Sequence, residues 1–385
     1  MTERRLRVGV IGCGLIAQVV HLPNLARLAD RFEVVHVCDL SPTVARTVAS
    51  RAPGAVRAST DWRDVVADPA VEAVIVLTPG AHGPIVEGAL AAGRHVLAEK
   101  PLCVSQAEAR ALAALAAQQE RVLQVAYMKL FDPGIARARA LLPGIGTLRV
   151  VRITVRHPSD ARQTDHFPVV RGRDADGAVI AAAGAYERER AVEALGDLPA
   201  GISELYRGVL IGSVIHELSA MRGLGLPLPS SFRHVRAWPF DPAQTGAEPP
   251  CIVALADLPG GAILDLSWLW LPDYPEYDER IELIGTDGEI DLRMPQPYGP
   301  QVAAEVTVRL PDGLLAQRSE HASDRDSGFL AELRAFHDTV TGTAGNRSDA
   351  EGARQDTAVL QALAAALAAG YGARAGGEAA DGAAR

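Results

Sequence analysis

The stretch VGVIGCGLIAQVV, residues 8–20, constrains this chain more than any other feature. An apolar run without polar alternation gives way at once to Gly12-Cys13-Gly14-Leu15-Ile16-Ala17, a G-x-G-x-x-A, and then to helical periodicity. Gly12 permits a tight turn, and Gly14 lets backbone approach a pyrophosphate at a helix N-terminus. Ala17 allows the helix to pack closely on the strand. A purely structural glycine turn is the competing explanation, and the second strand discriminates. It ends in VCDLSP, placing Asp39 roughly 20 residues on, where an acid that binds a ribose is expected. A carboxylate there accepts from the adenosine 2′- and 3′-hydroxyls and repels a 2′-phosphate, so the expected cofactor is NAD rather than NADP. Capping of the helix near Pro42 is the other use for Asp39, with Ser41 competing for it.

From Leu6 to about Ala126, short β-rich runs (LRVGVI, EVVHVC, EAVIVL, HVLA, VLQVAY) alternate with Ala-rich amphipathic segments. Strands without a wet face, separated by helices, predict a parallel sheet covered on both sides, a doubly wound α/β domain. The texture changes after residue 145. TLRVVRITVRH alternates, and ISELYRGVLIGSVIHELSAMRGLG reads as a helix with a glycine stop. FRHVRAW, CIVALADL, AILDLSWLWL and the hairpin RIELIGTDGEIDLRM read as strands, followed by helices. The expected division is a cofactor domain at 1–127 and a second α/β domain at 128–370, with a mostly antiparallel sheet. A low-complexity tail at 371–385 is expected to be disordered. Residues 158–205 are expected to cover the second domain's pocket and set substrate choice.

Composition narrows the partners. The 38 Lys+Arg against 47 Asp+Glu give a net charge of −9 without a basic stripe, which argues against nucleic acid. No stretch is long and apolar enough to span a bilayer. Cys13, Cys38, Cys103 and Cys251 lack metal or disulfide-scaffold spacing and read as free thiols in a reducing cytoplasm. His157, Asp160, Asp165 and His166 read as a solvated loop rather than a metal cluster, and no metal is expected. Trp268 and Trp270 suit either an oligomer interface or ordinary core.

HVLAEKPLC, residues 95–103, ends a strand on a carboxylate, an ammonium and a proline, none of them good strand residues. With LTPGAHGP before it, VAYMKLFDP after it, and the later GTDGEIDL and FLAELRAFHDTVTG, the chain closely resembles the Gfo/Idh/MocA family. That resemblance implies an N-terminal Rossmann domain, a C-terminal α/β domain with a large open sheet often used for homo-oligomerisation (dimer or tetramer), and NAD(P)-dependent oxidation of sugars, cyclitols and related polyols. It places Lys100 at the substrate carbon that exchanges hydride and Glu99 near the nicotinamide ribose. Thr78, Pro79 and His82 fall in the loop beside the cofactor, with the spacing to His82 one residue short. Tyr127 and Lys129 fall where the family lines its substrate pocket. A cis Lys100–Pro101 bond is expected, X–Pro being the context in which cis costs little; a surface Glu–Lys pair is the bland alternative.

The family's second catalytic element reads D-x-G-x-H-x-x-D. Its match here is GSVIHELS, with His216 as the acid/base but Gly212 and Ser219 at the Asp positions and Val214 at the Gly. Glu217, Glu204 or Tyr206 are the candidates to orient it, and a packed core histidine is the alternative. The expected function is therefore an NAD-dependent oxidoreductase interconverting a secondary alcohol and a ketone on a sugar, nucleotide-sugar or cyclitol. The fold also hosts nucleotide-sensing regulators without turnover and NAD-using glycosidases.

Overall fold

The computed structural model describes residues 4–299, 302–312, 315–321 and 326–382. The chain divides into two compact units. The first comprises Met1–Tyr127, Phe167–Arg190 and Phe329–Gln355; the second comprises Met128–His166, Ala191–Gly328 and Asp356–Arg385.

In the first unit, β1 (Leu6–Ile11), β2 (Phe32–Cys38), β3 (Arg57–Ser59), β4 (Ala73–Val76), β5 (His95–Glu99) and β6 (Leu123–Ala126) form one sheet in the order β3-β2-β1-β4-β5-β6. Every pair is parallel. β4 and β6 are buried along their whole length, as the lack of polar alternation requires. Strand order reverses at β1, so the loops leaving the carboxyl ends of β1 and β4 diverge and open a crevice there, the usual ligand position in such sheets. The three-residue β3 gave no periodic signal.

Two pieces of the first unit come from sequence expected in the second domain. Leu330, Leu333 and Phe336, one row of the helix Gly328–Val340, join the core with Phe32, Ile75 and Leu97. Residues 167–190, expected in the second domain, also belong here. Gln18 fixes them by donating from Nε2 to Val170 O and accepting from Val170 N, both at 2.9 Å.

In the second unit, β7 (Leu148–His157), β8 (His234–Trp238), β9 (Cys251–Asp257), β10 (Ile263–Trp270), β11 (Asp278–Gly285), β12 (Glu289–Met294), β13 (Glu305–Asp312) and β14 (Leu315–His321) run in the order β14-β13-β12-β11-β7-β10-β9-β8. Only β7–β10 is parallel; the other pairs are antiparallel. Trp268 is buried, its Nε1 donating to Ser213 Oγ at 2.9 Å on the helical side, with Trp270 stacked beside it. The opposite face carries ion pairs such as Arg152–Asp265 and Arg280–Asp291.

The tail departs from expectation. Residues Gly377–Gly382 form a helix, Ala379 is buried, and Gln361 Nε2 donates to Glu378 Oε2 at 2.7 Å. Glycines at 372 and 377 with positive φ turn the chain back, and alanines then favour the helix; 383–385 lie outside the described residues.

A buried bidentate pair locks the second unit: Arg222 Nε and Nη2 donate to Asp356 Oδ1 and Oδ2 at 2.9 and 2.7 Å. Burial pushes the Asp356 carboxyl up to about 6, against the pull of Arg222. Asp356→Ala should cost about 3 kcal/mol in urea unfolding by removing the guanidinium's bidentate carboxylate, and the paired Arg222→Met, Asp356→Leu change should cost less. Equal losses for the two would contradict this.

Candidate active site

Four expected positions stand at the carboxyl edge of the first sheet: Gly12 after β1, Asp39 after β2, Thr78 after β4 and Lys100 after β5. The two glycines of the loop do different work. Gly12 has φ +90°, and a Cβ there would sit 2.7 Å from both Leu77 C and Thr78 N. Conformation and packing both demand glycine. Gly14 is exposed, has no positive φ, and nothing lies within 4 Å of where its Cβ would be. The protein itself does not need glycine at 14; the open space suits close approach by a dinucleotide pyrophosphate. Cys13 is fully buried, and burial pushes its thiol and that of Cys38 up. Leu15 and Ile16 are half-buried, and Ala17 is buried against the sheet.

Asp39 binds the loop to the end of β2. Its Oδ2 accepts from Cys13 N and its Oδ1 from Ser41 N, both at 2.9 Å. Ser41 itself caps the helix Pro42–Arg51, accepting from Val44 N. Asp39 is thus released from capping and keeps lone pairs for ribose hydroxyls.

The helical segment that follows begins as a π-helix, Ala17–His21, a distortion frequent at functional sites. It carries His21, which the sequence reading missed. His21 is fully buried, and its Nε2 lies 2.9 Å from Glu99 Oε1. Glu99 Oε2 accepts from Lys100 N at 3.1 Å. Burial alone would raise the Glu99 carboxyl, but the His21 bond, then the charges of His21 and Lys100, outweigh it and hold it below the usual range. A second missed residue is Glu332, fully buried with both carboxylate oxygens lacking a hydrogen-bond partner among the described residues. Burial, then the Glu99 charge, pushes its carboxyl well above the carboxylate range.

Lys100 is half-buried, and the Lys100–Pro101 bond is cis. His82 stitches the neighbouring loops together rather than facing outward. It is fully buried, with Nδ1 2.6 Å from Pro101 O and Nε2 2.7 Å from Thr78 O. Burial holds its imidazole below the ordinary range, against the pull of the two carbonyls. Pro79 is exposed. Tyr127, expected at a substrate pocket, is fully buried in the first unit.

In the second unit, His216 is half-buried in the first turn of the helix Ile215–Leu224, directly after a π-helix, Tyr206–Val214. Ser219 Oγ donates to His216 O at 2.8 Å, Glu204 is tied to Gly246 N, and Tyr206 is fully buried. Lys129 departs from its expected place as a ligand donor. Its buried ammonium donates to Glu217 Oε1 at 2.9 Å and to both oxygens of Glu279 at 2.7 Å, which accounts for its three N–H groups. Tyr277 donates to Glu279 Oε2 at 2.6 Å. Glu217 Oε2 has no partner among the described residues, and burial, then the Glu279 charge, pushes its carboxyl up to about 7 despite Lys129. His157 packs against Trp268, Trp270 and Tyr277, while Asp160, Asp165 and His166 are exposed.

Residues 6–127 match the Gfo/Idh/MocA model, an oxidoreductase family with an NAD-binding Rossmann fold. An inositol 2-dehydrogenase from Acidothermus cellulolyticus is 27% identical over 370 residues, 93% of this chain and 95% of its own. An inositol 2-dehydrogenase 3 from Saccharopolyspora erythraea is 35% identical over 160 residues, 40% of this chain and 46% of its own. Among solved structures, an oxidoreductase from Thermotoga maritima aligns with TM-score 0.71 and 18% identity, over 95% of this chain and 97% of its own. A 3-ketoreductase from Actinomadura kijaniata, in complex with TDP-benzene and NADP, aligns with TM-score 0.69 and 21% identity, over 94% of this chain and 98% of its own. These last two likenesses are of fold.

Gly14→Ala should keep the wild-type Tm but weaken NAD binding, whereas Gly12→Ala should lower Tm sharply; equal Tm losses would remove the distinction. For Glu217 the sign follows from a folded pKa raised from 4.5 to about 7. Its protonated form stabilises the fold at low pH, and this is lost as pH rises through that window. Wild-type stability should therefore fall relative to Glu217→Gln by up to ~3 kcal/mol between pH 4.5 and 7.5. Parallel stability–pH curves for the two proteins would sink this account.

Proposed function

We propose that this chain, whose residues 6–127 match the Gfo/Idh/MocA family of NAD-binding oxidoreductases, is an oxidoreductase of that family and interconverts a secondary alcohol and a ketone on a sugar, nucleotide-sugar or cyclitol. The observation that carries this is Lys100, set at the carboxyl end of a Rossmann strand on a carboxylate, Glu99, that His21 keeps ionised. The names of its relatives, inositol 2-dehydrogenases, and of its structural neighbour, a 3-ketoreductase, support a polyol-like substrate. Bound NAD supplies the hydride acceptor, or NADH the donor. The loop Gly12–Ala17 holds its pyrophosphate, Asp39 its adenosine ribose, and Thr78, Pro79 and Glu99 border its nicotinamide half. Lys100 donates to the reacting oxygen and stabilises negative charge as it develops. His216 takes the hydroxyl proton during oxidation and returns it during reduction.

Asp39 favours NAD over NADP, because a 2′-phosphate would meet a carboxylate already committed to two backbone N–H groups. NAD should bind more tightly in titration, and Asp39→Ala should weaken NAD and narrow the preference; equal dissociation constants for the two cofactors would defeat it. One observation favours a second reading, a nucleotide sensor without turnover: Gly212 and Ser219 stand where the resemblance calls for Asp. Incubation with NADH and a panel of ketosugars and inosose-like ketones separates the two, since a sensor binds but does not oxidise NADH. Lys100→Ala should lower turnover about 10²–10⁴-fold with NAD binding retained, and His216→Ala similarly. Turnover by Lys100→Ala within about threefold of wild type, far below that range, would make the lysine a bystander.

A further inference from the structure

The family match ends at residue 127, yet the carboxyl edge of the first sheet is crossed by residues 167–190, which lie outside it. They are fastened to three of the loops that leave that edge. At the loop after β1, the Gln18 amide makes two bonds with the Val170 backbone and donates a further bond to Cys13 O at 2.7 Å. At the loop after β2, the Asp174 carboxylate accepts from Ser41 Oγ, from Thr43 N at 3.2 Å and from Thr43 Oγ1 at 2.6 Å. Gly172 passes so close that a Cβ would collide with Ser41 Oγ. At the loop after β4, Glu187 Oε1 accepts from Ala81 N at 2.7 Å.

Two of these anchors lie where this fold receives a dinucleotide, pyrophosphate at the glycine loop and adenosine ribose beside Asp39; the third is at the loop after β4 that the proposed function gives to the nicotinamide half. The charge also fits. Gly12–Ala17 contains no cation, whereas Arg171 and Arg173, exposed on either side of Gly172, make no hydrogen bond or ion pair with the described residues. Their guanidiniums suit a pyrophosphate, for which bidentate donors are favoured.

We propose that residues 167–190 are the outer wall of the dinucleotide site, a clasp over the adenosine–pyrophosphate half of NAD whose hold is set by Asp174 and whose cations are Arg171 and Arg173. This rests on NAD binding and is independent of the substrate. Asp174 acts by positioning the clasp, and the two arginines act by contact.

NADH titration and stopped-flow release, followed by nucleotide fluorescence, test it without turnover. Asp174→Ala should raise the NADH dissociation constant and release rate about tenfold, the scale of one charge-assisted hydrogen bond. The double change Arg171→Ala, Arg173→Ala should raise the constant similarly and flatten its dependence on salt. Both variants binding NADH within twofold of wild type, with unchanged circular dichroism and Tm, would overturn the proposal. Tighter binding would also overturn it, by making the segment an obstruction. Hydrogen exchange on the unaltered protein guards against a variant that fails to fold. Saturating NADH should slow exchange across 167–190, and unchanged exchange there would be fatal. If the clasp effects hold while no polyol is oxidised, the substrate reading falls and this one stands. If wild type binds no NADH at all, the clasp falls with the cofactor.

Discussion

The first unit depends on one constraint, the parallel pairing of β1 with β2 on one side and β4 on the other. Because all six strands run the same way, every loop that leaves the carboxyl edge does so on a single side. Because order reverses at β1, two of those loops part and leave room. Gly12, Asp39, Thr78 and Lys100 are brought together by that edge and by nothing in their sequence spacing. The loops after β1 and β4 part only beyond the strand ends: at the root of the crevice Gly12 runs so close to the Leu77 and Thr78 backbone that no side chain fits at position 12. The hydrogen bonds of Asp39 to Cys13 N and Ser41 N then tie the β1 and β2 loops into one surface.

Much of this was legible. A glycine loop, an acid after the second strand and an E-K-P strand ending are local patterns, and local patterns survive in a sequence. Lys129 shows where legibility stops. Read alone it is a cation near a pocket-lining stretch, but its partners Glu217 and Glu279 lie 88 and 150 residues away. No periodicity announces a buried ion cluster assembled over such distances. The same holds for His21, which bonds the Glu99 carboxylate from 78 residues away, and for Glu332, which feels its charge from the far end of the chain. Residues 167–190 misled for a related reason. The polar, glycine-rich character of the wider stretch 158–200 says only that it lies on a surface, and it was hydrogen bonds to Gln18, Ser41 and Thr43 that decided which one. Trp268 was legible as half of an alternating strand, but the side it faces followed only from its bond to Ser213.

Both π-helical segments lie beside residues with proposed roles. An extra residue in a helical turn rotates everything after it, so Ala17–His21 re-aims His21 and Tyr206–Val214 re-aims the turn carrying His216 and Glu217. A regular α-helical reading of either stretch would assign its side chains to the wrong faces. The buried acids divide by surroundings. The His21 bond and nearby charges hold the Glu99 carboxyl below the usual range, while burial without a hydrogen-bond partner among the described residues pushes the Glu332 carboxyl above it.

The core of the first unit closes only when the row Leu330, Leu333 and Phe336 arrives. During synthesis the sheet strands are complete once residue 126 has emerged, but the helix that covers them is still to be made. At 5–20 residues per second, the ribosome needs roughly 10–40 s to reach Phe336. For that interval the nascent chain carries an apolar sheet face, formed by Phe32, Ile75 and Leu97 among others, without its native cover. A chain built this way depends on whatever shields hydrophobic surface at the exit tunnel, and a stalled or prematurely ended copy leaves a sticky half-molecule rather than a spare cofactor domain.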